Sequence, residues 1–294
     1  MSTSHGNGLR RARDRVVAPF WGSSIFPVSH SQNGILAHMS SRVQRSPNPL
    51  TAFLIFVGEC CILTWSAVTR LFRGRFEGAE TVGQMAFIGA NSVPIVVMTT
   101  FFSGSVLALY SAQLLRDYGA GSLAGAAIGI AVTREIAPVL AGIMVAARCG
   151  SAMAAQIGTM AVTEQIDALR VLAVNPINYL VIPRVIASVL MLPVLCVIGV
   201  YSGVTGGYLV SVSSGIASGT FVNSLRQWIE PWDFVGGLIK TMVFGLIVAV
   251  VACQQGMRTK NGAVGVGNAT TNTVVIAMVL IYIANYFLAD LLYK

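Results

Sequence analysis

Apolar residues run in long uninterrupted blocks along most of this chain, and the polar positions are gathered between them. Five blocks, roughly 92–115, 121–155, 178–210, 234–257 and 272–293, each exceed the approximately 20 residues that carry a helix across a hydrocarbon core about 30 Å thick. An earlier apolar block, Pro49 to Phe72, is long enough to span but is flanked on both sides by arginine: Arg42 and Arg45 before it, Arg70, Arg73 and Arg75 after it. Crossing would place one cluster outside, against the bias that holds Lys and Arg of short loops in the cytoplasm. It would also set Glu59 at mid-bilayer, at a cost of about 2–3 kcal/mol. The pattern therefore predicts an interfacial or shallow re-entrant helix over 49–75 followed by five spans, an all-α multi-pass membrane protein. Residues 1–47, rich in Ser, Gly, Asn and Arg without periodicity, read as a disordered basic cytoplasmic tail, and 48–294 as the membrane domain. Phe20, Trp21 and Phe26 in the tail are placed to touch lipid headgroups.

One polar insert interrupts this pattern between the second and third blocks. Within 162–173, Val162, Ile166 and Leu169 recur at i, i+4 and i+7, opposite Glu164, Gln165, Asp167 and Arg170. Thr163 is the expected cap, Glu164 and Asp167 sit where the positive end of the helix dipole favours them, and Asn175-Pro176 stops the helix. So short and polar a helix lies at the membrane surface, as a docking element or as an ordinary surface helix.

Composition agrees with membrane residence: 55% of the 294 residues are hydrophobic and 10% charged, with mean hydropathy +0.73. The net charge of +8 is explained by topology rather than by nucleic acid, since no aromatic-basic interleaving accompanies it. With the N-terminus inside, fourteen of the nineteen Lys and Arg fall on the cytoplasmic side. Outside are Arg116, Arg226 and Lys294, while Arg134 and Lys240 fall within or near spans. The C-terminus is then extracytoplasmic. The five cysteines lie in apolar blocks without ligand spacing and read as small hydrophobes. The three histidines are all in the tail, and the first twenty residues lack the apolar stretch of a secretory signal.

Packing signals fall inside the blocks. Gly125 and Gly129, Gly199 and Gly203, and Gly203 and Gly207 are small-xxx-small pairs that let backbones approach. Pro94, Pro138 and Pro193 predict kinks or breaks. The stretch 211–233, with Trp228, Pro231 and Trp232, reads as an external loop anchored by aromatic residues and open to an extracytoplasmic partner.

Candidate chemistry centres on Arg134 and Glu135, adjacent charges in a span four residues before Pro138. Either each pairs with a neighbouring helix or with a carbonyl freed near Pro138, or they line the route of an amphiphile, with Arg134 suited to an acidic headgroup. There is no GxxxxGK[ST] phosphate loop, HExxH or GxSxG, and no Cys/His ligand cluster. The chain is thus expected to have no catalytic or metal site and no nucleotide site of its own. Transport would draw energy from a partner or from a gradient; a secondary transporter with Glu135 as proton carrier, or a membrane anchor for an external assembly, are the alternatives.

Residues 134–140 (REIAPVL), Ala147-Arg148, Gly150-Ser151-Ala152, 154–160 (AAQIGTM), 163–169 (TEQIDAL) and Asn175-Pro176 through Pro183-Arg184 together resemble the MlaE/YrbE permease family over about residues 50–294. The long basic tail makes the chain most similar to B-type YrbE subunits of actinobacterial Mce systems. Gln156 stands where the resemblance would place glutamate, and Ala137 where it would place glycine. The resemblance implies the permease half of an ABC lipid transporter in the plasma membrane. Its partners would be a second YrbE-type permease (a heterodimer), a cytoplasmic ATPase dimer holding ATP and Mg, and an extracytoplasmic Mce hexamer, the cargo being a lipid such as a fatty acid. It makes 162–173 the coupling helix, with Glu164, Gln165, Asp167, Leu169 and Arg170 as ATPase contacts. It also places Arg134, Glu135, Tyr118 and Leu107 along the lipid path.

Overall fold

The computed structural model describes residues 49–71 and 78–294. The tail expected over 1–47 and the end of the interfacial helix, 72–75, lie outside them. Among the described residues every regular element is helical. Helix α1 is Pro49–Leu71, α2 Gly78–Asp117, α3 Gly121–Val162, α4 Gln165–Val171, α5 Ile177–Ser213, α6 Ser218–Trp228, α7 Pro231–Met257 and α8 Gly262–Tyr293. Helices α2, α3, α5, α7 and α8 are long and apolar enough to cross a membrane, whereas the apolar part of α1, Ile55–Ser66, is shorter.

The spans are longer than hydropathy predicts. Helix α2 starts at 78 rather than 92, α3 ends at 162 rather than 155, and α8 starts at 262 rather than 272. Burial explains the extensions, because Thr81 and Ile88 of α2, Ile157 of α3 and Ala269 of α8 are buried against neighbours. At 40 residues, α2 reaches roughly 60 Å, about twice the hydrocarbon core.

Small residues set how the spans pack within the unit Phe53–Lys294. A Cβ on Gly104 of α2 would overlap the carbonyl oxygen of Gly203 in α5, and one on Gly206 would overlap that of Phe101. Gly203 also faces Val132 of α3, and Gly207 faces Ile128, so the predicted glycine ridge of α5 seats two neighbours at once. Three clusters of buried side chains follow the bundle from end to end. One joins Ala108, Ile128 and Phe221, a central one Val96, Val145, Leu192 and Phe244, and a third Ile157, Ile166, Val185 and Cys253. All five cysteines are free, and Cys149, Cys196 and Cys253 are buried.

The stretch 211–233, expected as a loop, is mostly helix. Helix α5 runs to Ser213, α6 covers Ser218–Trp228 and α7 begins at Pro231. Phe221 and Ser224 share one face, three residues apart, and both are buried. Against them lies the start of α3, where Gly125 admits the Phe221 backbone and Ser224 Oγ accepts the Ala126 N–H at 3.0 Å. That hydroxyl serves one of the first-turn donors that a helix cannot satisfy internally. Trp228 and Trp232 remain half exposed, as an interfacial anchor requires.

Of the three prolines, Pro94 and Pro193 lie within unbroken helix. Pro138 instead follows a π-helical turn, Val132–Ile136, and a second such turn occupies Ala146–Gly150.

Candidate functional site

Arg134 and Glu135 sit in the π turn of α3, and each is claimed by a different turn of α7. Arg134 Nη2 lies 2.6 Å from Asp233 Oδ1, and its Nε donates to the same oxygen at 2.8 Å. Glu135 Oε1 is 2.7 Å from Lys240 Nζ. Asp233 and Lys240 are seven residues apart, two turns on one face of α7. Proline at 138 has no N–H for the Arg134 carbonyl, and Lys240 Nζ donates to that oxygen at 3.0 Å. Asn285 of α8 donates to Glu135 Oε2 at 2.7 Å. The ring of Tyr293 lies 4.6 Å from the Arg134 guanidinium and 4.9 Å from Lys240 Nζ. The second Asp233 oxygen accepts the Glu230 N–H at 3.1 Å and closes a capping box at the start of α7.

Two positive and two negative side chains therefore cancel inside one polar knot that ties α3 to α7 and α8. Of the two readings open from sequence, the pairing one describes both charges, and the freed carbonyl near Pro138 is occupied as well. Lys240 is fully enclosed and the Asp233 side chain 2% exposed, whereas the Glu135 side chain remains 43% exposed. That exposed edge opens on a cleft of about 330 Å³ between α2, α3 and α8, lined by Ser103, Ile136, Leu140, Tyr282 and Asn285. Ser103 also borders an apolar cleft of about 500 Å³ along α2, where Leu107 lies with Phe102, Val106 and Tyr110. Glu135 and Leu107 thus border adjoining clefts, and Arg134 is held by Asp233 beside them. Tyr118 is not with them: it lies in the turn after α2, 81% exposed, and lines neither cleft.

Sequence reasoning missed Asp233, Lys240, Asn285 and Tyr293 as parts of this knot. From sequence, Asp233 falls at the end of the expected external loop and Lys240 is only a cation within or near a span. The available signal was their i, i+7 spacing, with signs opposite to those of Arg134 and Glu135.

At the other end of the bundle, the insert forms α4, shorter than the expected 162–173. Thr163 does not cap it, because its hydroxyl donates back to Thr159 O at 2.8 Å as the last turn of α3 closes. The cap position falls to Glu164, in the left-handed conformation at φ 59°, and Ala173 at φ 58° closes the far end. Ile166 is buried and Leu169 half-buried in the third cluster, so Leu169 gives part of its surface to the bundle. Glu164, Gln165, Asp167 and Arg170 are exposed, and Arg170 Nη1 pairs with Asp167 Oδ1 at 2.8 Å. Val171 and Leu172, not singled out from sequence, are 87% and 71% exposed beside them. Asn175 Oδ1 accepts the Ile177 N–H at 3.1 Å, so the Asn-Pro stop works as an Asx turn into α5.

The helices flanking α4 are tied behind it. Arg184 of α5, 5% exposed, donates to Leu180 O at 2.7 Å and to Gln156 Oε1 of α3 at 3.2 Å. Helix α1 reaches the same end: Leu63 shares a cleft with Arg170, Val174 and Met257. Glu59 accepts a hydrogen bond from Gln254 at 2.8 Å and meets Arg258 at 3.3 Å. Glu59 thus stands level with the end of α7 rather than in the middle of the bundle, as the interfacial reading of α1 requires.

Comparison with known proteins adds an independent line. The family described as permease MlaE matches residues 81–291. A probable ABC transporter permease protein of Rickettsia bellii is 44% identical over 239 residues, covering 81% of this chain and 92% of that protein. One from Synechocystis is 41% identical over 233 residues, 79% of this chain and 89% of that one. The chloroplastic protein TRIGALACTOSYLDIACYLGLYCEROL 1 of Arabidopsis thaliana is 37% identical over 234 residues, 79% of this chain and 67% of that protein.

Proposed function

This chain belongs to the MlaE permease family and is an ABC transporter permease of the membrane, and from that premise we propose that it moves lipid in an ATP-driven transporter of the Mce type. The observation that carries the reading is α4: an exposed surface of Glu164, Gln165, Asp167 and Arg170, edged by bare Val171 and Leu172, on an element fastened to both flanking spans. Such a surface couples to an ATPase dimer in the cytosol, which binds ATP and Mg. With α4 cytoplasmic, the odd number of spans puts α6 and the C-terminus outside, where α6 faces an Mce-type hexamer. A second YrbE-type permease completes the membrane unit.

The lipid path runs over the adjoining clefts of Glu135 and Leu107. Their walls are apolar apart from Ser103, Glu135, Asn285 and tyrosine hydroxyls, which suits acyl chains with one polar end. A relative named for a galactosylated diacylglycerol supports lipid cargo. The test is Glu164→Lys with Asp167→Lys. ATPase co-purification and stimulated ATP turnover are lost while the chain stays folded in the membrane; unchanged coupling would reject the assignment.

A further inference from the structure

We propose that Arg148 of α3 is the binding point for an anionic lipid headgroup, a reading that rests on the lipid path proposed above and names the headgroup chemistry it takes. Arg134, the cation first suited to that role, is held by Asp233, and Lys240 is held by Glu135. Arg184 is buried and donates to Leu180 and Gln156. Arg148 differs from all three. It is exposed within a membrane-length helix, and among the described residues its guanidinium makes no ion pair and donates no hydrogen bond.

Its depth follows from its chain neighbours. Cys149 Sγ lies 3.2 Å from Ser92 Oγ of α2, and a Cβ on Gly150 would lie 3.7 Å from Thr273 of α8. Positions 92 and 272 are where the apolar blocks of α2 and α8 begin, so Arg148 stands at the edge of the hydrocarbon on the α4 side. Two more exposed polar side chains, Asn91 and Asn272, stand at that depth on α2 and α8. An exposed cation at headgroup level, with no carboxylate among the described residues of its own chain paired to it, matches a phosphate or carboxylate that its planar fork can hold in bidentate fashion.

A shallow spiral along α3, turning about 40° at each four-residue step, supplies the apolar remainder. Ile136, Leu140, Met144 and Arg148 recur every four residues, and Ile136 and Leu140 line the Glu135 cleft. From Arg148 to Ile136 is a rise of roughly 18 Å. A headgroup held at Arg148 therefore lays its acyl chain along Met144 and Leu140 toward the cleft. The occupant is one amphiphile with a negative head.

The test uses the full chain with its retained subunits, and native mass spectrometry of bound phosphatidylglycerol and phosphatidylcholine with matched acyl chains. The unmodified chain binds phosphatidylglycerol about tenfold more tightly. Arg148→Gln removes that preference and leaves phosphatidylcholine binding and subunit composition intact, while Arg148→Lys keeps most of it. A preference that survives Arg148→Gln, or is missing from the unmodified chain, overturns the headgroup assignment alone. Equal loss of both lipids or of a subunit in Arg148→Gln assigns the residue to an interface and overturns it too. Displacement of phosphatidylglycerol by excess inorganic phosphate overturns the amphiphile in favour of a free anion. Failure of the unmodified chain to hold either lipid would instead overturn the lipid path itself.

Discussion

Lys240 is fully enclosed and its ammonium lies 2.7 Å from the Glu135 carboxylate, whose own side chain is 43% exposed. The two partners are therefore not equivalent. Removing the carboxylate strands a charge that water cannot reach, and removing the ammonium leaves a carboxylate that still meets water and Asn285. Glu135→Gln is expected to destabilise by about 2–3 kcal/mol, below the full cost for a buried pair because one partner is open to solvent. Lys240→Met should cost less, and the double variant should recover part of the Glu135→Gln loss. Thermal unfolding in one detergent measures all three; equal losses in the two single variants would contradict the asymmetry.

Helix α2 meets α5 where Gly104 lies against the Gly203 carbonyl. The clash of any side chain there is with backbone, which cannot rotate away. Gly104→Val should cost at least about 3 kcal/mol or abolish folded protein. Gly83→Val, where a Cβ meets nothing, should be nearly silent. Yield and size-exclusion profile report both, and a monodisperse Gly104→Val protein of ordinary stability would refute the contact.

Arg184 is a buried cation whose nearest side-chain partner is the neutral amide of Gln156. Gln156→Glu supplies a carboxylate in the same place and converts a neutral acceptor into a charged one. The expected gain is about 1 kcal/mol, modest because position 156 is exposed. A higher melting temperature in low salt, with the gain shrinking as salt is added, is the expected signature. A fall in stability would show that Arg184 does not seek a counter-charge.

Val171 and Leu172 are bare to solvent beside the acids of α4. Val171→Ser with Leu172→Ser should change stability by no more than about 0.5 kcal/mol, as exposed positions do. ATPase retained on purification should nonetheless fall severalfold. Undiminished retention with unchanged melting would exclude these two residues from the docking face.

Burial raises the Cys60 thiol to about 11, with Cys61 and Glu59 adding to the rise. Cys61, its neighbour, is exposed. A thiol-specific reagent near neutral pH should therefore modify Cys61 well before Cys60. The reverse order, read by mass spectrometry of peptides from α1, would mean that α1 turns its other face to the bundle.

The five spans and α4 were legible because hydropathy and the i, i+4, i+7 stripe of Val162, Ile166 and Leu169 are local properties, repeated over consecutive turns. Helix α6 was not, since only eleven residues ending in a single tryptophan, between flanking turns, read as loop until Gly125 and Ser224 give its face something to pack on. The cap of α4 was misplaced for a similar reason: Thr163 has a choice of acceptors, and the end of α3 claims its hydroxyl.

Membrane residence, the count of spans, the acid-bearing insert and the presence of costly intramembrane charges all follow from the order of side chains, because each depends on how a short stretch partitions between water and lipid. Which charge meets which does not. Arg134 and Asp233 are 99 residues apart, and Glu135 and Lys240 are 105 apart. A one-residue shift in a π turn or a wider gap between helices would re-aim every one of them. The partners were assigned only when the helices packed face to face, and with them the finding that Arg134 is neutralised while Arg148 has no ion-pair partner among the described residues.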